Sequence, residues 1–234
     1  MKICALLSGG MDSTVMVAKL VAENHEVRTL GINYGQRHSK ELGIAEAQAA
    51  MLGVPFTVVD FSNLGQLLPG NSLTGNIDVP EGHYAEDNMK ATVVPNRNMI
   101  LLAVAIGHAI AHECTAVAYA AHGGDHAVYP DCRPEFADAM AGVAAVCDYQ
   151  KIEMLRPFME TDKAGIAKLG DSLGVNFART WSCYKGGDHH CGRCGTCVER
   201  REAFYLAGVA DPTIYGEGAP TVEDMVRNNW QLND

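Results

Sequence analysis

The sequence predicts an α/β protein built on a doubly wound parallel sheet, in the three-layer arrangement of Rossmann-like folds. Short apolar runs alternate with amphipathic segments along most of the chain, which is the pattern of strands that alternate with helices. A glycine-rich turn joins the first apolar run to the first amphipathic segment. The chain has 234 residues, 47% of them hydrophobic, which is enough for one sizeable core and a small satellite. We therefore expect a single domain over residues 1–234.

The predicted elements follow from the spacing of apolar residues and from the residues that begin or end helices. Ser39 is suited to cap the second helix and Gly53 to end it, while Pro134 is suited to the first turn of a later helix. The stretch 99–112 is almost wholly apolar, so we expect that helix to be buried. In chain order we expect a strand at 3–7, a helix from 14, a strand at 26–32, a helix from 39 to 52, a strand at 56–59, a helix at 99–112, a strand at 115–119, a helix at 134–146, a strand at 152–155, a helix at 161–173 and a helix at 197–206.

Residues 61–94 lack this periodicity, and glycine, proline and asparagine accumulate in them. Loops of this length in compact domains are usually functional covers or mobile segments. We expect a lid or an oligomer contact.

Polar residues follow the first, second and fourth predicted strands, at 8–13, 34–38 and 122–125. In doubly wound sheets, ligands bind beyond the carboxyl ends of the strands, where the strand order changes direction. We therefore expect these three segments to face one crevice.

The turn Ser8-Gly9-Gly10-Met11-Asp12-Ser13 is the segment that points most directly to a ligand. Its backbone N–H groups lie at a predicted helix start, where unpaired donors and the helix dipole favour phosphate oxygens. The hydroxyl groups of Ser8, Ser13 and Thr14 would add further donors. The turn lacks the lysine of G-x-x-x-x-G-K-[ST] and cannot be written as G-x-G-x-x-G, so neither of those nucleotide motifs fits. A strand, turn and helix with no ligand is the plain alternative.

The spelling SGGxDS resembles the pyrophosphatase loop of enzymes that cleave ATP between its α and β phosphates. The resemblance implies that the loop grips the departing pyrophosphate and that Asp12 is associated with the magnesium that accompanies ATP as substrate. It implies an ATP site made of Leu7, Ser8, Gly9, Gly10, Met11, Asp12, Ser13, Thr14, Val15, Met16 and Val17.

Four cysteines crowd into fifteen residues with the spacing Cys183-x7-Cys191-x2-Cys194-x2-Cys197. Four thiolates can close a tetrahedral zinc shell with no open position, so we expect one structural zinc per chain. An iron–sulfur cluster and a redox pair are alternatives, and His189 and His190 are alternative ligands. We expect a small zinc-binding subregion over 180–206 and a C-terminal tail over 207–234.

The charge balance argues against a nucleic-acid partner. Lys and Arg number 18 against 28 Asp and Glu, which gives a formal net charge of -10, and no basic cluster is visible. The N-terminus enters a predicted strand at once, and no apolar run reaches the roughly 18 residues of a membrane span. We expect a cytoplasmic protein without a membrane partner.

Further motifs, in order and over about Met1–Leu206, resemble those of the 7-cyano-7-deazaguanine synthase family. They are Tyr34-Gly-Gln-Arg-His38, Pro95-x-Arg-Asn98, Tyr129-Pro-Asp-Cys-Arg-Pro-Glu-Phe136, and Ser182-Cys-Tyr-x-Gly followed by His190-Cys-Gly-x-Cys-x-x-Cys197. Two positions depart from the family pattern, because Leu7 replaces the common phenylalanine and Asn96 the usual glycine.

The resemblance implies an adenine nucleotide alpha hydrolase-like fold, a homodimer and a carbon–nitrogen ligase. The ligase would convert 7-carboxy-7-deazaguanine and ammonia to 7-cyano-7-deazaguanine in queuosine and 7-deazapurine biosynthesis. Each turnover would use two ATP, pass through adenylate and amide intermediates, and release AMP and pyrophosphate.

The substrate and both leaving groups of such a reaction are anions, so cations are the first candidates for catalysis. Arg97, Arg133 and Lys163 are those cations, although exposed surface charge is the plain alternative for each. A carboxylate such as Asp125 or Asp131 would act as base for ammonia. With the loop, the predicted catalytic residues are Asp12, Ser13, Arg97, Arg133 and Lys163; the predicted substrate-binding residues are Tyr34, Gln36, Arg37, His38, Asp125 and Asp131.

Other functions remain open on the sequence alone. A family relative could stop at the amide or couple the deazapurine carboxylate to another amine. A tRNA-modifying enzyme with the same loop would use cysteines in catalysis and bind RNA, which the acidity disfavours. A non-catalytic zinc module that senses nucleotide is a third alternative. An amidotransferase is disfavoured because 234 residues leave little space for a glutaminase region.

Overall fold

The computed structural model describes residues 1–37, 40–84 and 86–232. Within them, one parallel sheet of five strands has the order β3-β2-β1-β4-β5. The strands are β1 (Lys2–Leu6), β2 (Glu26–Asn33), β3 (Phe56–Asp60), β4 (Ala116–Ala118) and β5 (Glu153–Leu155).

Helices connect these strands and follow the last one. The helices are α1 (Met11–Ala22), α2 (Lys40–Met51), α3 (Leu64–Leu67), α4 (Arg97–Ala111), α5 (Pro134–Ala144), α6 (Lys163–Ser172), α7 (Gly195–Ala207) and α8 (Val222–Arg227). Short 3₁₀ helices cover Asp87–Thr92, Gly123–Ala127, Pro130–Cys132 and Phe177–Arg179.

Both faces of the sheet are covered, because successive side chains of each strand point to opposite sides. On β1, Ile3 and Ala5 pack in one apolar cluster with residues of α1, α2 and α6, while Cys4 packs in a second cluster with residues of α4 and α5. The predicted α/β class with a three-layer, doubly wound sheet is confirmed.

The strand order changes direction at β1. The chain adds β2 and β3 on one side of β1, and then returns to add β4 and β5 on the other. The ends of β2, β1 and β4 are therefore adjacent at the carboxyl edge, as expected from the sequence.

Helix α4 is buried on one side only, which corrects the expectation that it is buried all round. Leu102, Ala105 and Ile106 are buried, whereas Met99 is 47% exposed and Ala103 is exposed. Apolar composition alone did not reveal this, because several of the exposed positions carry small residues that cost little in water.

Residues 61–94 pack onto the body rather than forming an independent element. Leu73, Val79 and Met89 are buried, and the Asn71 side chain accepts N–H groups of Leu73 and Thr74 at 2.9 Å. Leu73 also lines the crevice described below. Leu73 and Tyr84 are the described residues of this segment that contribute to the crevice wall, and the expected lid or oligomer contact stays a prediction.

The tail after residue 207 is also packed. Met225 is 1% and Trp230 6% exposed, and both lie in an apolar cluster with Val198 of α7. The peptide N–H of His190 donates to the Ile214 carbonyl at 3.2 Å, so the tail braces the cysteine region.

Among the helices of the described residues, none is long and apolar enough to cross a membrane.

Candidate active site and metal site

The phosphate-binding turn joins β1 to α1, as predicted. Gly9 has a φ of 84°, and a Cβ atom there would lie 2.5 Å from the Glu41 carbonyl oxygen. Glycine is therefore required both by the left-handed backbone and by the close approach of α2. The Trp181 peptide N–H donates to the Gly9 carbonyl at 3.0 Å, which ties the turn to the C-terminal part of the chain.

The three hydroxyl groups near the turn have different roles. Ser8 and Ser13 line the crevice, with their Oγ atoms 3.0 Å apart. Thr14 is 1% exposed, and its hydroxyl donates to the Gly10 carbonyl at 2.8 Å. The structure thus corrects the expectation for Thr14, because its hydroxyl stabilises the first turn of α1 instead of facing a ligand.

The predicted ATP segment divides between the crevice and the core. Residues of this segment that line the crevice are Leu7, Ser8, Gly10, Met11, Asp12 and Ser13. Val15, Met16 and Val17 are fully buried in α1. The structure does not bring these three to the ligand side, because the helix that follows the turn carries them into the core.

A crevice of about 280 Å³ opens at the carboxyl ends of β1, β2 and β4. Ser8, Tyr34 and Asp125 represent the three predicted segments in its lining. Residues that sequence reasoning did not assign to the site complete the walls: Glu41, Leu73, Tyr84, Tyr129, Trp181 and Tyr184. The volume is close to the lower end of the range for small-molecule sites.

A buried group of charges lies beside the turn. Lys163 Nζ lies 2.6 Å from Glu199 Oε2 and 3.3 Å from Asp12 Oδ2. Burial by itself lowers the pKa of Lys163, but the carboxylates of Asp12, Glu199 and Asp125 raise that pKa above its usual value. Lys163 is therefore a cation at neutral pH.

Asp12 has one carboxylate oxygen without a hydrogen-bond partner in the described residues. This atom, Oδ1, is buried. The carboxyl groups of Asp12, Glu199 and Asp125 surround one lysine. A hard divalent cation such as Mg²⁺ prefers oxygen ligands, and the donor set fits the magnesium that accompanies ATP.

His122 lies beside these carboxylates. Its Nδ1 accepts the Gly124 N–H at 3.1 Å, which in the neutral ring leaves the proton on Nε2. The His122 side chain is 1% exposed, and its Nε2 lies 3.5 Å from Asp125 Oδ1 and 3.8 Å from Asp12 Oδ2, without a hydrogen bond to either among the described residues. The Tyr84 hydroxyl donates to the same Asp125 Oδ1 at 3.1 Å. Asp125 is thus held at the crevice by the Tyr84 hydroxyl and by the His122 peptide N–H, which donates to Asp125 Oδ2 at 3.2 Å.

Arg97 lies in the crevice lining, among aromatic rings. Its Cζ atom is 5.9 Å from the Tyr34 ring centroid and 6.0 Å from the Tyr129 ring centroid. These distances are within the range of cation–π contacts. Burial raises the pKa of the nearby Glu41 carboxyl to about 7, although Arg97 opposes this. Arg97 therefore offers positive charge to an anionic ligand at this end of the crevice.

Two predicted residues lie elsewhere. Arg133 is exposed, and its Nε donates to the His126 carbonyl at 2.9 Å. Asp131 accepts the Asn98 N–H at 2.9 Å and so caps the start of α4. Neither lines the crevice, because both belong to the turn that leads into α5 rather than to the ends of β1, β2 or β4. The structure therefore does not bring Arg133 and Asp131 into the crevice lining with Arg97 and Lys163, and their catalytic and binding roles stay predictions.

The motif at residues 34–38 lies at the crevice over its described residues, 34–37. Gln36 and Arg37 line it, and Arg37 Nη1 also donates to the Ile77 carbonyl at 3.0 Å. His38, predicted to bind substrate, lies outside the described residues.

Asn96 shows how the chain accommodates one departure from the family pattern. Its φ is 59°, in the left-handed region that glycine favours and asparagine tolerates better than most residues. Asparagine can therefore replace glycine here and still start α4 with Arg97 in place.

The four predicted zinc ligands come together at the start of α7. The Sγ atoms of Cys183, Cys191, Cys194 and Cys197 all lie within 4.8 Å of one another, and those of Cys191 and Cys197 are 3.9 Å apart. Tetrahedral zinc with bonds of about 2.3 Å places sulfur atoms roughly 3.8 Å apart. The N–H groups of Arg193 and Cys194 point to Cys191 Sγ at 3.4 and 3.2 Å. This donor set fits a closed structural zinc site.

The neighbouring glycines and histidine support that assignment. Gly192 has a φ of 72°, as expected for a tight turn after a cysteine. Gly195 is needed instead for close packing, since a Cβ there would lie 2.6 Å from Met89 Sδ. His190 Nε2 faces the Ser182 N–H at 3.1 Å, and burial lowers the pKa of His190 to about 4. His190 therefore accepts this hydrogen bond and supports the loop.

Comparison with known proteins identifies the same family as the sequence motifs. A family model described as "Queuosine biosynthesis protein QueC" matches residues 2–208. A protein of Brucella anthropi named 7-cyano-7-deazaguanine synthase is 54% identical over 217 residues, which cover 92% of this chain and 94% of that protein. A protein of the same name from a Ruegeria strain is 53% identical over 220 residues, covering 93% and 94% of the two chains.

Solved structures resemble the chain more distantly. The U34-tRNA thiolase NcsA from Methanococcus maripaludis superposes with a TM-score of 0.49 and 16% sequence identity, over 94% of this chain and 78% of that one.

Proposed function

The chain belongs to the family of the queuosine biosynthesis protein QueC, and we propose that its single crevice carries out both adenylations of that family's reaction. It is a 7-cyano-7-deazaguanine synthase, an ATP-dependent ligase of queuosine biosynthesis. One observation supports the proposed site best. Lys163 contacts Asp12 of the SGGxDS turn in the same crevice whose lining includes Arg97.

The reaction begins when the carboxylate of 7-carboxy-7-deazaguanine attacks the α-phosphorus of ATP, forming an acyl-adenylate and releasing pyrophosphate. Ammonia then displaces AMP and loses a proton, which leaves an amide. The amide oxygen then attacks the α-phosphorus of a second ATP and releases a second pyrophosphate. Loss of AMP and of both N–H protons produces the nitrile. AMP is needed twice because oxide is a poor leaving group at neutral pH, whereas a phosphate ester leaves as a stable anion.

The turn and Lys163 serve the phosphates. N–H groups at the start of α1 and the Lys163 ammonium stabilise the charge that develops on pyrophosphate as it leaves. Asp12 has an unpaired Oδ1 for the magnesium of the ATP complex. The four cysteines would hold zinc, which would supply folding stability rather than a step of the reaction.

Arg97 and Asp125 serve the deazapurine and ammonia. The Arg97 guanidinium neutralises the substrate carboxylate, and the tyrosine rings around it provide flat surfaces for the bicyclic base. Asp125 lines the crevice and accepts the proton that ammonia loses on attack. Asp131 is unsuited to that role because it caps α4.

Product stoichiometry tests the reaction. Each molecule of nitrile should be accompanied by two AMP and two pyrophosphate, because removal of the amide oxygen needs its own adenylation. Incubation with 7-carboxy-7-deazaguanine, ammonium, ATP and magnesium, followed by mass spectrometry and nucleotide analysis, measures this ratio. With limiting ATP, the amide should accumulate and be consumed when ATP is restored. One AMP per product and an inert amide would instead identify an amide-forming ligase.

We also propose that the protein is a homodimer in the cytoplasm. The reducing cytoplasm keeps the cysteines available to a metal. The exposed side of α4, with Met99 at 47% exposure and Ala103 and Gly107 on the same face, is the surface that a second copy would cover.

Sedimentation of the wild type and of Ala103→Glu tests this dimer. The wild type should sediment as a dimer and Ala103→Glu as a monomer, because a charge would be buried at the interface. Ala47→Glu is the matched control, since Ala47 is exposed on α2 and should leave the dimer intact. A wild type that stays monomeric at micromolar concentration contradicts the proposal.

A further inference from the structure

We propose that Glu199 is a positioning residue that holds the Lys163 ammonium against the phosphate-binding turn, so that helix α7 links the cysteine site to the crevice. The proposal rests on the proposed function in one respect, namely that Lys163 acts on the phosphates of ATP. Glu199 itself does not line the crevice, whereas Lys163 and Asp12 do. Its effect would therefore be transmitted through Lys163.

The contacts of Lys163 place its charge between two carboxylates. Glu199 Oε2 accepts a hydrogen bond from Lys163 Nζ at 2.6 Å, and Asp12 Oδ2 lies 3.3 Å from the same nitrogen. The Lys163 side chain is only 10% exposed, as is that of Glu199. A lysine side chain has many rotamers, and the Glu199 contact selects one in which the ammonium reaches Asp12.

Glu199 is itself fixed by the way α7 is anchored. The helix begins at Gly195, with Cys194 as its capping residue and Cys197 in its first turn. The Thr196 hydroxyl donates to the Ser182 carbonyl at 2.7 Å, which holds this end of the helix.

A second anchor follows directly after Glu199. Arg200 is fully buried, and its guanidinium donates to the Phe177 carbonyl at 2.9 Å and to the Thr180 hydroxyl at 2.9 Å. Glu199 therefore lies between the cysteines and this buried arginine. Because the helix is anchored on both sides of it, its carboxylate has little freedom to leave this position.

Stability alone is a poor explanation for this pair. Buried ion pairs lose much of their Coulomb attraction to desolvation, and apolar replacements are often equally stable. The Asp125 carboxylate, a third acidic member of the group, repels that of Glu199, which a purely structural pair would not need. A cation placed next to the turn, with acidic groups around it, is what a transferring phosphate and its metal require.

A double-mutant cycle on Glu199 and Lys163 tests the proposal. Glu199→Gln should lower kcat for pyrophosphate release about tenfold or more, while KM for the deazapurine stays near the wild-type value. In the Lys163→Met background, Glu199→Gln should have no further effect on kcat, because its partner is already gone. Equal losses in both backgrounds would show that Glu199 does not act through Lys163 and would overturn the proposal.

Glu202→Gln is the matched control. Glu202 lies one turn further along α7 and contacts His83 at 3.2 Å outside this charge group, so its kcat should match the wild type. Zinc content and melting temperature of each variant separate positioning from misfolding. A kcat for Glu199→Gln that falls only in proportion to lost zinc or lost folded protein contradicts the positioning role.

Binding of inorganic pyrophosphate with magnesium, measured by calorimetry, provides a readout that needs no turnover. Glu199→Gln and Lys163→Met should weaken this binding to a similar extent, and Glu202→Gln should not. If the wild type forms no nitrile or amide, the proposed function fails, but the pyrophosphate measurement still decides whether Glu199 positions Lys163. Unchanged pyrophosphate binding in Glu199→Gln would refute the inference even in an active enzyme.

Discussion

Asp12→Asn should abolish most adenylation while leaving the fold intact. The substitution keeps the shape of the side chain but removes the charge next to Lys163 and the unpaired Oδ1 that suits magnesium. Loss of a metal or charge contact that acts on the transition state costs several kcal/mol, so kcat should fall by about 100-fold or more. Release of pyrophosphate with both substrates present measures the effect.

The melting temperature of Asp12→Asn should stay close to that of the wild type. Asp12 attracts Lys163 but also adds to a group that already contains the Glu199 and Asp125 carboxylates, so the gains and losses on its removal oppose each other. Asp148→Asn is the matched control, because Asp148 is exposed on the surface and its loss should change neither quantity. Full turnover by Asp12→Asn would remove Asp12 from the mechanism.

Cys194→Ser should strongly lower thermal stability and release the metal. Cys194 is fully buried, lies at the start of α7, and is one of four thiolates within 4.8 Å of one another. Zinc binding to such a site is coupled to folding, and loss of several kcal/mol should lower the melting temperature by about 10 °C or more. Thermal unfolding and metal analysis measure the two effects, with about one zinc per chain expected in the wild type.

Cys147→Ser provides the control for that experiment. Cys147 is an exposed cysteine outside the cluster, so its replacement should leave both zinc content and melting temperature unchanged. A wild-type protein that is free of zinc and equally stable with a strong chelator would contradict a structural role for the metal. A bound iron–sulfur cluster would be recognised by its colour and its iron content.

The fold could be predicted from the sequence because the residue patterns that indicate strands and helices are local. Alternation of strands and helices, with glycine or proline at their ends, predicted the sheet and the segments at its carboxyl edge. The cysteine spacing was equally informative, since four ligands within fifteen residues need no knowledge of the fold. The half-exposed α4 was missed because local composition does not say which side of an apolar helix has a neighbour.

The site was predicted less completely because its contacts join distant parts of the chain. Asp125 and Asp131 are close in sequence and chemically identical, yet one lines the crevice and the other caps a helix. Glu199 lies 36 residues from Lys163, and nothing in its own helix marks it as the lysine's partner. Its position two residues after Cys197 drew attention to the metal instead.

The contacts of the phosphate-binding turn also have a consequence for synthesis of the chain. The turn leaves the ribosome long before Lys163 and Trp181 are made, yet Lys163 contacts Asp12 and Trp181 contacts Gly9 in the folded chain. A nascent chain that ends after α5 would contain the turn without either partner. ATP should therefore bind and stabilise only chains that extend beyond Trp181, so nucleotide would favour a late step of folding rather than an early one.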